Sequence, residues 1–286
     1  MTATALRLPR LFARLVRLEH TVFALPFAYT GAFLAWRGVP PARLLLWVTV
    51  AMIGARTLAM GLNRLIDASL DARNPRTAAR ELPAGTLTRA QVSALCGIAL
   101  AVYLVAVFRL DPVVRWLWPI PVVLFVVYPY LKRITWLCHL WLGVCTGLAP
   151  TGAWIATTGH APWEAWVLGA AQGVWVAGFD LFYSLFDVEH DRRSGLYSWA
   201  TRFGESGVFA GARVLHAVAV GLLVAVGLGL DLGVWYWLGI AAVAGLLLYE
   251  HRLVRPGDLR RLNAAFFTVN GVIALVFFVF VLLESL

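Results

Sequence analysis

Two acidic clusters are the chemically loaded part of this chain: Asn63, Asp67 and Asp71, and then Asp187 and Asp191. The first three residues are spaced i, i+4, i+8, and Tyr183, Asp187 and Asp191 repeat that spacing. Such positions share one face of a helix with about 3.6 residues per turn. Carboxylates crowded on one face repel one another unless a cation lies among them. Mg2+ suits such a set, because it takes oxygen ligands and commonly binds through one or two carboxylates together with substrate phosphates. The plain alternative is a solvated helix end, salt-bridged by Arg73 and Arg193. The clusters also share more than spacing: Leu65-Ile66-Asp67-x-x-x-Asp71-x-Arg73 recurs 120 residues later as Leu185-Phe186-Asp187-x-x-x-Asp191-x-Arg193. That duplication favours two copies of one functional element over two solvated ends.

Basic residues flank both clusters: Arg73, Arg76 and Arg80 after the first, Lys132 and Arg133 further on, and Arg192 and Arg193 after the second. Guanidinium groups grip phosphate oxygens in pairs, and an ammonium binds them as a point charge. Asn63, Arg73, Arg80, Lys132 and Arg193 are therefore the candidates for a diphosphate site, with Asp67, Asp71, Asp187 and Asp191 as its catalytic acids. The metal would take those four aspartates and Asn63. Each base taken alone also fits a membrane-surface anchor.

The elements that must hold these residues are apolar helices. Hydrophobic residues make up 61% of the 286 positions and charged ones only 14%, which is a membrane composition. The apolar runs are long enough for helices and lack the short alternation of transmembrane strands. The sequence predicts an all-α polytopic bundle with spans at roughly 22–38, 42–66, 90–108, 112–131, 136–158, 163–186, 208–229, 231–250 and 262–283, each boundary good to a few residues. No polar linker interrupts the series, so one domain over residues 1–286 is expected. The two clusters follow the second and sixth spans.

A net charge of +9 raises the question of nucleic acid, but the basic residues sort by loop instead of forming one basic domain. With the N-terminus inside, eighteen Lys and Arg fall on the cytoplasmic side and four, Arg37, Arg43, Arg109 and Arg115, on the other. That split follows the positive-inside rule and predicts an integral protein of a bacterial-type cell membrane whose site opens toward the cytoplasm. Residues 1–20 hold four arginines without an apolar core and small-residue cleavage site, so no removable signal is expected. Cys96, Cys138 and Cys145 all lie in apolar spans with no Cys-x-x-Cys pair, which points to buried small residues and not to a disulfide or zinc site.

Two charged residues sit inside spans, where unpaired charge is expensive: Arg56 and Asp180. One reading is an ion pair tying the second and sixth spans. The other is a role for both in binding a substrate. Among 13 Trp, 16 Phe and 8 Tyr, many belong to interfacial belts, and a subset could face an allylic cation.

At this point the motifs resemble those of the UbiA superfamily of membrane prenyltransferases, over nearly the whole chain. Asn63-Arg64-x-x-Asp67-x-x-x-Asp71 is similar to the family's Asn-Asp-x-x-Asp-x-x-x-Asp, with Arg64 in place of its second residue. Arg80-Glu81-Leu82-Pro83-Ala84-Gly85 resembles its Arg-Pro-Leu-Pro-Ser-Gly loop, and Tyr128-Pro129-Tyr130-x-Lys132-Arg133 resembles the end of its fourth helix. Asp187-x-x-x-Asp191 corresponds to the second motif, followed by Gly195-Leu196-Tyr197-Ser198 and Arg202-Phe203-Gly204. The resemblance implies nine helices, Mg2+-assisted ionisation of a polyprenyl diphosphate, and attack of an electron-rich ring on the allylic cation. The stretch from Glu19-His20 to Pro26-Phe27 and the Asn63-Arg64-Leu65-Ile66-Asp67 variant look like the 4-hydroxybenzoate polyprenyltransferase-like group, close to the prenyltransferases of the futalosine route to menaquinone, so the implied acceptor is 1,4-dihydroxy-6-naphthoate or 4-hydroxybenzoate in menaquinone or ubiquinone biosynthesis. With an aromatic acid implied, Arg56 would meet its carboxylate and Asp180 orient the ring or accept its proton, and Glu19 and His20 join them as candidates for the aromatic substrate. A secondary transporter of a small anion is the competing class, but its binding groups belong near mid-membrane at broken helices. A purely structural membrane subunit would have no use for paired metal-type acids.

Overall fold

The protein's structure is a computed structural model that describes residues 11–15, 21–254 and 268–286. Glu19, His20 and the first residues of the ninth predicted span lie outside the described residues. Every regular element described is helical: α1 (Thr21–Trp36), α2 (Ala42–Asp71), α3 (Arg89–Val107), α4 (Val114–Leu117), α5 (Pro119–Leu131), α6 (Cys138–Thr158), α7 (Trp163–Ser184), α8 (Val188–Arg193), α9 (Trp199–Gly229), α10 (Val234–Leu253) and α11 (Asn270–Glu284). Each of the nine predicted spans coincides with helix among the described residues. Among the described residues, six are both long and apolar enough to cross a bilayer by themselves: α2, α3, the α4–α5 run, α7, α9 and α10. α11 is a shorter apolar helix. Large apolar side chains such as Ile98, Val105, Trp116, Val214, Leu228 and Leu248 point outward, as a lipid-facing surface requires. The chain is an integral membrane protein.

Local signals explain several helix limits. Thr88 and Gln91 form a reciprocal capping box that starts α3, and Ser198 and Thr201 do the same for α9. Gly204, at φ +70°, then breaks the helical geometry within α9. That explains why the apolar span read from the sequence begins only near residue 208 although helix is present from Trp199.

Helices in lipid gain little from the hydrophobic effect between themselves and approach closely where side chains are small. α6 and α7 show this most clearly. A methyl group added at Gly143 would lie 2.4 Å from the carbonyl oxygen of Gly173, and one at Gly147 2.3 Å from that of Gly169. This glycine seam fixes how near the two helices run, and the groups at the end where α6 begins and α7 finishes inherit that spacing. A larger apolar core surrounds it, in which Phe27 of α1 packs on Trp175 of α7 and Phe277 of α11 on Tyr236 of α10.

Two expectations about the acidic motifs change here. α2 runs unbroken through Asp71, so both aspartates of the first motif sit on the helix itself. α7 ends at Ser184 and a turn separates it from Asp187, which caps the six-residue α8. Asp180 and Asp187 therefore share no continuous helix face, contrary to what their seven-residue spacing implies on an unbroken helix.

Candidate active site

The first motif is a buried acid pair clamped by bases from other elements. Asp67 is only 3% exposed. Its carboxylate accepts hydrogen bonds from Lys132 Nζ at 2.6 Å, Arg133 Nη2 at 3.1 Å and Asn63 Nδ2 at 3.3 Å. The Asn63 contact confirms the shared helix face. One turn on, Arg80 Nη1 bridges both oxygens of Asp71 at 2.8 Å, with Arg64 Nη1 4.0 Å away. Arg64, the departure from the family pattern, is thus buried against the motif it interrupts. Thr77 Oγ1 donates to the Asp71 carbonyl at 2.9 Å and folds the following loop back over the helix end.

That loop reaches the second motif. Asn74 Nδ2 and Arg76 Nε each donate to Asp187 Oδ1 at 2.8 Å, and Arg76 Nη2 donates to Asp187 Oδ2. Arg76 Nη1 donates to the Tyr183 hydroxyl at 2.7 Å, and its guanidinium lies 5.1 Å from that ring's centre. Burial alone would raise the Asp187 carboxyl, but the Arg76 and Asn74 hydrogen bonds outweigh it and hold the group below its ordinary value. Asp191 behaves oppositely: burial, and then the negative charge of Asp187 beside it, push it up to about 6. Among the described residues no side chain hydrogen-bonds or ion-pairs with Asp191. A third tie joins the two halves, since the Lys132 carbonyl accepts the Tyr197 N–H at 2.7 Å. Lys132, the chain's single lysine, therefore touches Asp67 with its side chain and the second loop with its backbone.

The structure thus brings Asn63, Asp67, Asp71, Arg80 and Lys132 together and connects Asp187 to them through the first loop. Arg73 and Arg193 stand apart. Arg73 Nε turns back to the Ser69 carbonyl at 3.3 Å, and Arg193 forms an exposed i, i+4 pair with Glu189. The solvated-end alternative is also corrected in its partners. The acids are held by Lys132, Arg133, Arg80 and Arg76, not by Arg73 and Arg193. Asp180 does not take Arg56 as its partner: His139 Nδ1 lies 2.7 Å from Asp180 Oδ2. His139, near the start of α6 on the far side of the glycine seam, takes the place in which an ion pair with Arg56 was one of the two expectations.

Residues 24–280 match the UbiA prenyltransferase family. The chain belongs to that family. The 4-hydroxybenzoate octaprenyltransferase of Aromatoleum aromaticum is 31% identical over 274 residues, covering 95% of this chain and 92% of that one. The apo structure of a UbiA homolog from Aeropyrum pernix K1 is 30% identical, with a TM-score of 0.84 over 94% of this chain and 98% of that chain. A UbiA homolog from Archaeoglobus fulgidus, bound to GPP and Mg2+, shares the fold at 17% identity, with a TM-score of 0.70 over 96% and 99% of the two chains. A membrane prenyltransferase, and not a transporter, is what this bundle forms.

Whether the acids suit a divalent cation can be judged from this UbiA-family site itself. Among the described residues no group of three or more His, Cys, Asp or Glu side chains forms a ready-made metal cage. The acids come in pairs, and Asp191 lies beside Asp187 with no side-chain hydrogen bond or ion pair of its own among the described residues. An incomplete oxygen set of this kind fits Mg2+, which completes its shell with water and substrate phosphate. Asn74, Arg76, Arg133 and His139 belong to the cluster although the motif spacing did not select Asn74 or His139 at all. Asn74 is invisible to pattern reading because its role depends on how the loop folds. His139 looks like an ordinary residue of an apolar span until α6 and α7 are packed.

Proposed function

We propose that this UbiA-family prenyltransferase transfers a polyprenyl group from its diphosphate to 4-hydroxybenzoate, with Mg2+, at the cytoplasmic face of the membrane. The observation that carries the reading is the linkage of the two aspartate motifs into one mouth, with Asp187 of the second held by Asn74 and Arg76 of the first loop. The relative from Aromatoleum aromaticum bears the name of that activity, and the Archaeoglobus fulgidus homolog holds GPP and Mg2+, which supports both the donor class and the metal.

The charges suggest how these residues act. Asp67, Asp71 and Asp187 are held by bases in this structure, and a magnesium-bound diphosphate carries a partner for each side of every pair. The carboxylates can turn to the cation while Lys132, Arg133, Arg80 and Arg76 donate to phosphate oxygens. When bound, Mg2+ neutralises the charge that builds on the departing diphosphate. The bases hold that diphosphate against the end of the bundle, and the apolar interior below excludes water from the allylic cation. The bias of Lys and Arg toward the loops on this side supports the cytoplasmic orientation.

The subgroup resemblance carried by the N-terminal stretch and the Asn63-Arg64-Leu65-Ile66-Asp67 variant supports 1,4-dihydroxy-6-naphthoate, and with it menaquinone biosynthesis, as the second acceptor reading. Purified protein given octaprenyl diphosphate, Mg2+ and each acid in turn separates them. Product with 4-hydroxybenzoate, lost with EDTA and regained with Mg2+, is the expected result. Product only with the naphthoate would transfer the assignment to the second acceptor, and EDTA-resistant turnover would remove the metal.

A further inference from the structure

Prenylation of an aromatic ring leaves one task that the acidic mouth does not perform. The C–O bond to diphosphate breaks with its electron pair staying on diphosphate, and a ring carbon bonds to the allylic carbon. That ring carbon then carries both the new substituent and its original hydrogen. A base must take the proton so that the C–H electron pair returns to the ring.

The structure places an imidazole suited to this below the mouth. His139 is only 7% exposed, and its Nδ1 lies 2.7 Å from Asp180 Oδ2. A carboxylate accepts hydrogen bonds and cannot donate them, so the short contact assigns a proton to Nδ1, and in the neutral imidazole the lone pair is then on Nε2. Nε2 is buried and has no partner among the described residues. A buried polar atom left unpaired costs about 1–3 kcal/mol, so a purely structural histidine would be expected to satisfy it. The glycine seam at Gly143 and Gly173 sets the helix spacing that brings the two side chains together.

The position suits an acceptor ring. Asp180 lies about 6 Å along the axis from the end of α7 by the helical rise, so the pair sits roughly one turn below the loops. Asp191 lies within electrostatic reach of His139, and Tyr128 within reach of Asp180, Cys138 and Asp67. The pair therefore lies near α5 and both acidic motifs, and among the described residues it makes no hydrogen bond to the motif aspartates.

We propose that His139 Nε2 takes the proton lost by the acceptor ring, and that Asp180 is the positioning residue that fixes its tautomer and stabilises the imidazolium. The inference rests on the aromatic-acceptor reading given above. Its test uses the intact protein with octaprenyl diphosphate and an acceptor deuterated at the ring position that receives the prenyl group. His139→Gln should lower kcat by about 100-fold or more, the usual range for a lost general base. The KM for the prenyl diphosphate should move less than about two-fold, because donor binding is untouched. An isotope effect absent from the wild type should appear in the variant, since proton loss becomes slow enough to limit turnover. Asp180→Asn should show the same isotope effect with a smaller loss, and it keeps the test alive if His139→Gln fails to fold. A kcat near the wild-type value, or a loss without an isotope effect in both variants, overturns the proposal. The wild-type rate on each acceptor tests the proposed function and the ratio of variant to wild type tests the histidine, so the two can fail separately.

Discussion

The two aspartate motifs are near-copies in sequence and opposites in structure. Asp67 and Asp71 lie on an unbroken helix, are 3% and 6% exposed, and are each held by basic groups. Asp187 and Asp191 follow a break after Ser184, on a helix of six residues. Asp187 is secured by a loop that belongs to the first motif, and Asp191 by no side chain among the described residues. A rigid half thus faces a half that takes its geometry from the first. The difference teaches that a repeated spacing identifies repeated chemistry without implying repeated support. One copy is preorganised, and the other has spare coordination to give to a ligand.

The comparison breaks most visibly at the aspartates themselves. Asp67→Ala and Asp191→Ala should each reduce turnover by about 1,000-fold, as expected when a group stabilising several kcal/mol of transition-state charge is lost. They should part in stability. Removing Asp67 leaves Lys132 and Arg133 facing each other across a vacated site, and breaking such a pair costs up to about 3–5 kcal/mol when fully buried. With both basic side chains 31% exposed, about 1–3 kcal/mol is expected here. Removing Asp191 breaks no side-chain pair, so its melting temperature in detergent should match the wild type. Equal melting losses in the two variants would end the distinction between a rigid and a borrowed half.

A smaller effect is expected where the halves join. Arg76 supplies two hydrogen bonds to Asp187 and one to Tyr183, and Arg76→Ala leaves Asn74 as the remaining tie from the first loop. Turnover should fall by about 10- to 100-fold, in line with the loss of charge-assisted bonds of about 1.5–3 kcal/mol. Amide hydrogen exchange should accelerate over residues 188–196 while the Asn63–Asp71 end of α2 is unaffected. Exchange rising equally in both places would mean that the two motifs stand or fall as one unit.

Much of this was legible in the sequence for physical reasons that can be named. Helix positions followed from apolar runs, because lipid permits little else, and Asn63, Asp67 and Asp71 were legible because a helix turns a spacing into a face. Lys132 was legible as a base near acids. What spacing could not carry is any contact made through a turn or across a helix pair. The break at Leu185–Asp187 interrupts the helical phase between Asp180 and Asp187, and the Asn74 and Arg76 contacts exist only once the first loop closes. His139 replaces Arg56 as the partner of Asp180 because two glycines on each of α6 and α7 let those helices approach, which no motif records.

The smallest effect is expected at the residue where the sequence analogy reached furthest. Arg193 occupies the place in the second motif that Arg73 holds in the first, and the repeat made both of them candidates for the diphosphate. In the structure Arg193 Nη2 pairs with Glu189 at 2.6 Å, with 77% of the arginine side chain and 73% of the glutamate side chain exposed. An exposed pair at this spacing contributes about 0.3–0.5 kcal/mol and is screened by salt. Arg193→Ala should therefore leave the melting temperature within error and change the KM for prenyl diphosphate less than about two-fold, the range in which no bond to the donor has been lost. Lys132→Ala, measured beside it, should raise that KM far more than the KM for the aromatic acid, since only the donor carries a polyanion. The contrast is sharpest at low ionic strength, where a long exposed arginine has its best chance of reaching a phosphate. A donor KM for Arg193→Ala that rises as much as that for Lys132→Ala would mean that the exposed arginine leaves Glu189 when substrate arrives, and that the second motif is completed by its own loop as well as by the first.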